Sequence, residues 1–153
     1  MYAINVDVAL HRGGRWLLMV RGAGEAHAAG QLSLVGGTVE VSEPGSDMLE
    51  ETGRREVAEE VGVDLTGVPL VYVESTFFTT DDGEPVINTV FAAQMPADAE
   101  PAIIAPDEVA ALRWSSLPEL QADDTCPAWT AQSLRSAEAT LHHASRNPVS
   151  SKS

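Results

Sequence analysis

Apolar and polar residues alternate over residues 4–10, with Ile4, Val6, Val8 and Leu10 on one side and Asn5, Asp7 and Ala9 on the other. A period of two predicts a half-buried strand. Gly13 and Gly14 make a turn, and the run RWLLMVR at 15–21 supplies a second strand, so the chain opens with a hairpin. Residues 22–30, rich in glycine and alanine, show no period and read as a mobile loop at a site mouth. Residues 31–35 form a short strand that runs into Gly36 and Gly37, a pair that lets the backbone pass close to a ligand.

The period then changes. Leu49, Gly53, Val57 and Val61 recur every four residues, as the buried stripe of an amphipathic helix does. Pro44 and Gly45 stand ahead of it, Ser46 or Asp47 suits its start, and Gly62 suits its end. Gly53 inside the stripe costs about 1 kcal/mol relative to alanine, which close packing against a strand offsets. Residues 70–79 and 85–94 read as strands joined by the turn Asp81-Asp82-Gly83, 96–106 as a proline- and alanine-rich irregular connection, and 110–114 as a short strand leading into Ser115-Ser116-Leu117-Pro118. Residues 128–144, with Leu134, Ala137 and Leu141 at helical spacing, form an amphipathic helix that packs on the sheet. This order predicts one α/β (α+β) domain over 1–144, with a mixed sheet between helices, and a flexible polar tail at 145–153.

Composition narrows the function classes. A chain of 153 residues holds one core and is short for two ordinary domains. Its 9 Lys and Arg against 23 Asp and Glu give a net charge of -14, which disfavours nucleic-acid polymers and anionic membranes and requires any phosphate ligand to be recruited by local cations. The single cysteine, Cys126, excludes an intramolecular disulfide and a cysteine-based metal cluster and suits a reducing compartment. A start without basic residues, with Asp7 inside its apolar run, argues against a signal peptide, and no apolar run reaches the length of a membrane span. The expected location is the cytoplasm.

The charge pattern carries the chemistry. In the first helix Glu56, Glu59 and Glu60 stand at i, i+3 and i+4, so three acids share one face and repel. A solvated acidic face is one reading; the other is a hard divalent cation, Mg²⁺ or Mn²⁺, which takes carboxylate oxygens together with a substrate's phosphates. Arg55 can clamp a neighbouring carboxylate through two parallel hydrogen bonds. The Gly36 or Gly37 carbonyl offers a further oxygen.

These residues together resemble a known signature. Gly37, Glu43 after five residues, and then Arg55-Glu56-Val57-Ala58-Glu59-Glu60-Val61-Gly62-Val63 are similar to the Nudix box. Between Glu43 and Arg55 the chain has eleven residues where the family pattern has seven. The four extra residues, about one helical turn, fall near 44–49 and leave the partner of Arg55 open among Glu43, Asp47, Glu50 and Glu51. Leu34-Val35-Gly36-Gly37 resembles the strand and turn before the box, Leu17-Leu18-Met19-Val20-Arg21 the strand opposite, and EVAALRWSSLPEL at 108–120 the late strand and its loop.

The resemblance implies a Nudix-like α/β/α sandwich with the box helix on one face of the sheet and the C-terminal helix on the other. It implies a metal-dependent hydrolase that cleaves the diphosphate linkage of a nucleoside diphosphate joined to another group, such as a nucleoside triphosphate, a nucleotide sugar or ADP-ribose. The implied metal set is Glu56, Glu59, Glu60, the Gly37 carbonyl and Glu43. Glu59 or Glu108 serves as base, with Arg55 and Glu56 completing the catalytic group. A homodimer is implied by resemblance alone. The alternative is a catalytically silent Nudix-like module that binds a nucleotide or a protein. A third reading, an isomerase of isoprenoid diphosphates on a related fold, lacks a suitable cysteine near the box.

Other candidates follow from the residues themselves. Arg21 is the best phosphate clamp among few cations, while Phe77, Phe78 and Trp114 are either core or a stacking surface for a base. His142 and His143 are adjacent on a helix and point apart, which argues against shared metal ligation. His27 lies in the glycine-rich loop. Gly22-Ala23-Gly24 does not complete a dinucleotide fingerprint, and no Walker-type lysine occurs.

Overall fold

The computed structural model describes residues 1–25, 28–40 and 44–146. Its elements run β1 (Ala3–Arg12), β2 (Arg15–Arg21), β3 (Leu32–Ser33), β4 (Val35–Thr38), α1 (Met48–Val61), β5 (Val71–Thr79), β6 (Pro85–Gln94), β7 (Val109–Ser115), α2 (Leu117–Gln121) and α3 (Ala128–Arg146). The fold is the expected mixed α+β sandwich. Residues 147–153, most of the expected tail, lie outside the described residues, as do His27 and Glu43.

β1 is the centre of the sheet. It pairs in parallel with β6 from Ala3↔Val86 to His11↔Gln94, and β6 pairs antiparallel with the outer strand β5. On its other edge β1 begins as the expected hairpin, with Arg12 opposite Arg15 and His11 opposite Trp16 across Gly13 and Gly14, both at positive φ. Beyond those pairs β1 and β2 separate, and residues 32–38 fill the gap. Leu32 and Ser33 pair with Val20 and Met19 of β2, whereas Val35 to Thr38 pair with Val8 to Asn5 of β1. The single strand expected at 31–35 is thus two strands, and the second runs through both glycines. β7 closes the far side of β2.

Both faces of the sheet are covered, which corrects the expectation of a half-buried first strand. Val8 and Leu10 of β1, Leu17 and Met19 of β2, and Val57 and Val61 of α1 form one buried cluster. Ala9, Trp16, Leu18, Val90 and Ala92 pack on the other side with Leu120 of α2 and Leu134 and Ala137 of α3. A strand buried on both faces reads as a continuous apolar run, as 15–21 nearly does. Among the described residues no helix is long and apolar enough to cross a membrane.

The ends of α1 are set by local chemistry. Gly62 closes it in the left-handed region at φ 68, its N–H bonded to the Ala58 carbonyl. Asp47 stands at the N-cap position but at φ 56 and without a side-chain cap bond, so the start is a left-handed turn rather than the expected capping contact. Ala102 and Ile104 donate to the Val61 and Glu60 carbonyls at 3.0 and 3.1 Å. The irregular connection 96–106 thereby satisfies the last carbonyls of the helix. The short helix α2 was not anticipated; Ser116 accepts from the Glu119 N–H and donates to the Glu119 carboxylate, a reciprocal cap that the Ser-Leu-Pro-Glu spacing encodes.

Candidate active site

The site forms where α1 passes under β4. A Cβ at Gly53 would lie 2.9 Å from Val8 Cγ2, so the missing side chain lets the helix sit close to β1. A Cβ at Gly37 would lie 2.3 Å from the carboxyl carbon of Glu56, so that glycine makes room for an acid. The Gly36 N–H donates to Glu60 Oε2 at 3.3 Å. Both glycines are required by close approach, with the helix acids on one side of β4 and β1 on the other.

Arg55 organises the acids. It donates to Glu56 Oε1 at 3.0 Å and to the Thr38 carbonyl at 3.2 Å, and it pairs with Glu40 at 3.4 Å and more loosely with Glu59 at 3.8 Å. Burial pulls the guanidinium pKa down, but the bond to Glu56 and the charges of Glu40, Glu56 and Glu59 hold it above its ordinary value. Among the described residues its partner ahead of the helix is Glu40, which the sequence spacing did not single out. Among the described residues Asp47, Glu50 and Glu51 make no ion pair with it, and Glu43 lies outside the described residues.

Glu60 is 6% exposed, buried beneath β4. Burial first, then the negative charge of Glu56 and the charge and hydrogen bond of Glu108, push its carboxyl up to about 8, against the opposing pull of the Gly36 N–H. Glu56 is also raised, by burial and by Glu59 and Glu108, with Arg55 acting the other way. Glu108 therefore belongs to this group, although it is remote in sequence. The Gly22 N–H bonds the Glu108 carbonyl at 2.9 Å and ties the end of β2 to the same place.

The expected acid triad is not one tight cluster. Glu56 and Glu60 approach Gly37 and Gly36, whereas the Glu59 side chain is 60% exposed and leans towards Arg55. Among the described residues no three His, Cys, Asp or Glu side chains stand close enough to hold a metal as they are placed. The donor chemistry nonetheless fits a hard cation. A buried carboxyl facing two further acids, with one backbone N–H as its hydrogen-bond donor, is a set of oxygen ligands whose repulsion a divalent ion removes.

The remaining candidates separate by position. Arg21 pairs with Glu25 at 2.9 Å, and its charge also bears on Asp7. Phe77 and Phe78, 62% and 41% exposed on β5, are not core. Trp114 packs on the cluster beneath α1 with the Arg12 guanidinium 5.5 Å from its ring centre; it pairs with Leu17 at the opposite end of β2 from Arg21 and is not brought to the acids. His142 and His143 lie near the end of α3. Asp7, which the sequence reading did not single out, lies beside Gly36 on the opposite side from Glu60. Its signal was a charged residue inside an apolar strand run; burial, opposed by hydrogen bonds from Asn88 and Asn5 and by Arg21, pushes it up to about 6.

Comparison with known proteins agrees with the fold. The NUDIX domain family model matches residues 1–136. A MutT NUDIX hydrolase from Burkholderia pseudomallei superposes with a TM-score of 0.71 at 26% identity, covering 89% of this chain and 98% of that one. A MutT protein from Methanosarcina mazei Go1 gives 0.72 at 26% identity over 90% and 94%. An Ap4A hydrolase from C. elegans shares the fold at 0.72 and 16% identity over 92% and 98%. No curated protein matches. The chain belongs to the Nudix family and is an enzyme of its pyrophosphohydrolase class.

Proposed function

We infer that the chain is a Mg²⁺- or Mn²⁺-dependent hydrolase that cleaves the diphosphate linkage of a nucleoside diphosphate joined to another group. The observation that carries this reading is the burial of Glu60 against Glu56 and Glu108. Such a cluster is unfavourable by itself and becomes favourable only with positive charge and a ligand that brings its own phosphates.

Glu56 and Glu60, with the Gly37 carbonyl, are the residues that would hold the cation. When bound, the cation neutralises the diphosphate and lowers the pKa of water. The side chains supply the rest. Arg55 fixes Glu56 and fastens the end of β4 through Thr38, so the acids keep their spacing. Gly36 orients the Glu60 carboxylate through its N–H. Arg21 stands at the end of β2 as the phosphate clamp.

Water attacks one phosphorus, the bridging P–O bond breaks with its electron pair leaving on the departing phosphate, and a carboxylate accepts the proton from water. Glu108 is favoured for that last role, because it is exposed at the edge of the cluster and faces Glu60; Glu59 leans towards Arg55. The acidic surface and the single Cys126 fit a cytoplasmic enzyme, and the exposed aromatics of β5 fit a homodimer.

Hydrolysis measured over a panel of nucleoside triphosphates, nucleotide sugars and ADP-ribose, with Mg²⁺, Mn²⁺ or chelator, tests the reading. We expect turnover only with a divalent ion, and a loss of roughly 100-fold or more in kcat for Glu60→Gln and Glu56→Gln. Glu108→Gln is expected to lower kcat more than Glu59→Gln. Absence of metal-dependent turnover of every diphosphate, or equal turnover by Glu60→Gln, refutes the enzyme and leaves a binding module.

A further inference from the structure

Glu108 differs from the other acids of the cluster in how it is held. Its residue is exposed, yet its carboxylate faces the buried Glu60 and its charge bears on Glu56. A side chain without a packing surface around it inherits its place from the backbone that carries it, so whatever fixes residues 107–108 fixes this acid.

That backbone is shaped first by its own turn. The N–H groups of Glu108 and Val109 both donate to the Ala105 carbonyl, at 3.0 and 2.9 Å. The turn enters β7 through an irregularity in the pairing with β2. Val20 stands opposite Ala111 and Arg21 opposite Val109, which makes Ala110 an extra residue on β7. An extra residue of this kind bends its strand and re-aims the side chains beside it. Here the bend falls two residues after Glu108.

Gly22 supplies the remaining tie. Its N–H donates to the Glu108 carbonyl at 2.9 Å, and it is buried although Ala23 and Gly24 are exposed. A Cβ at Gly22 would lie 2.4 Å from the Asp107 carbonyl oxygen and 3.3 Å from the Glu108 carbonyl carbon. Both are backbone atoms, which cannot swing aside as the end of a side chain can. At Gly24 a Cβ would lie 3.8 Å from the same oxygen, an ordinary contact. Gly22 is not among the glycines at positive φ, so close approach and not backbone conformation excludes a side chain there. A methyl at position 22 would have to push 107–108 back by about 1 Å to reach ordinary contact, and Glu108 would move with it.

The same residue follows the phosphate clamp directly. The Arg21 N–H bonds the Gln31 carbonyl at 3.0 Å and its carbonyl accepts from Gly30 at 2.9 Å, so the loop 22–30 is closed at its base. Gly22 therefore stands between a fixed Arg21 and the turn that carries Glu108.

We propose that Gly22 is a positioning residue of the hydrolytic site: its N–H and its missing side chain seat the Asp107–Glu108 backbone against the end of β2 and so hold the Glu108 carboxylate beside Glu60. The proposal rests on the hydrolase reading for what Glu108 does and adds the residue on which its placement depends.

A double-mutant cycle of Gly22→Ala and Glu108→Gln provides the test, with Gly24→Ala as the control on the same loop. Two quantities are read: turnover of the diphosphate that the substrate panel identifies, and Mn²⁺ affinity without substrate, by calorimetry. Gly22→Ala is expected to lower kcat by roughly 10- to 100-fold, as a displacement of a reacting group does. It should weaken Mn²⁺ binding by roughly 10-fold, because the ion loses the charge beside Glu60. Gly24→Ala should change neither. In the Glu108→Gln background Gly22→Ala should add less than about a twofold loss, since residues that act as a unit are not additive.

Equal losses from Gly22→Ala in both backgrounds, or no loss in the wild type, overturn the proposal while metal-dependent turnover leaves the hydrolase reading standing. If no diphosphate is hydrolysed but the Mn²⁺ cycle shows the expected coupling, the hydrolase reading fails and the positioning of Glu108 stands. If Gly22→Ala does not fold, amide exchange in the wild type decides. A Gly22 N–H that exchanges as slowly as the amides of β2 supports the tie to Glu108, and exchange at the rate of an open loop overturns it.

Discussion

At the scale of single residues, two buried carboxyls make a pH prediction. Glu60 is raised from 4.5 to about 8 and Asp7 from 3.8 to about 6, in both cases chiefly by burial. Between those limits the folded chain keeps protons that the unfolded chain has lost. Stability of the metal-free protein therefore falls as pH rises from about 4 to 8 and levels off above that. Thermal unfolding in chelator is expected to show a Tm that drops through this range. Added Mg²⁺ should raise Tm more at pH 8.5 than at pH 5.5, because a protonated Glu60 has no charge to offer a cation. A Tm in chelator that rises from pH 5 to 8 would show that Glu60 is not held protonated by its surroundings. The residues of this cluster differed in legibility. Arg55, Glu56 and Glu60 could be read from their spacing on one helix. Glu40 could not, because the turn of chain that brings it to Arg55 leaves no periodic trace.

At the scale of elements, periodicity served best where one face of an element meets one neighbour. The every-fourth-residue stripe placed α1, and Gly53 lies where the helix comes closest to β1. Filling that contact should cost more than helix propensity returns. Gly53→Leu is expected to lower stability by about 1–3 kcal/mol in denaturant unfolding and to weaken activity by lifting Glu56 and Glu60 away from β4. Unchanged stability would mean that α1 has room to shift. The strand at 31–35 was misjudged for a physical reason. Whether a short apolar run pairs with one neighbour or crosses between two depends on where β1 and β2 part, and no local pattern records that. The capping spacing of α2 was present in the sequence; five residues are too few for periodicity to reveal.

The whole molecule adds a surface that neither scale explains. Tyr2, Ile4, Phe77 and Ile87 are 59%, 37%, 62% and 37% exposed; Ile87 pairs with both Ile4 and Phe77, and Tyr2 packs edge-on against Phe77. They form one apolar patch beside β5, the outermost strand on its side of the sheet. A patch of this kind at a sheet edge is a surface for association, and a second copy of the chain is the simplest partner. Light scattering at micromolar concentration is expected to give a dimer mass, and Phe77→Glu a monomer that retains the fold. A wild-type monomer would remove the homodimer from the functional reading.

The sequence alone determined a mixed sheet between helices, because the order of strand and helix periods fixes which elements must share a core, although the alternation in β1 did not show that both of its faces are buried. It also determined the acid-bearing helix, whose ligands are neighbours by helical geometry. Tertiary structure decided what depends on meetings between distant segments. Glu108 reaches Glu60 because the connection 96–106 caps the end of α1 and β7 pairs with β2. Asp7 reaches the other side of Gly36 because β4 fills the gap between two diverging strands. Such contacts follow from strand order and register, which are set by the packing of the entire chain and not by any stretch within it.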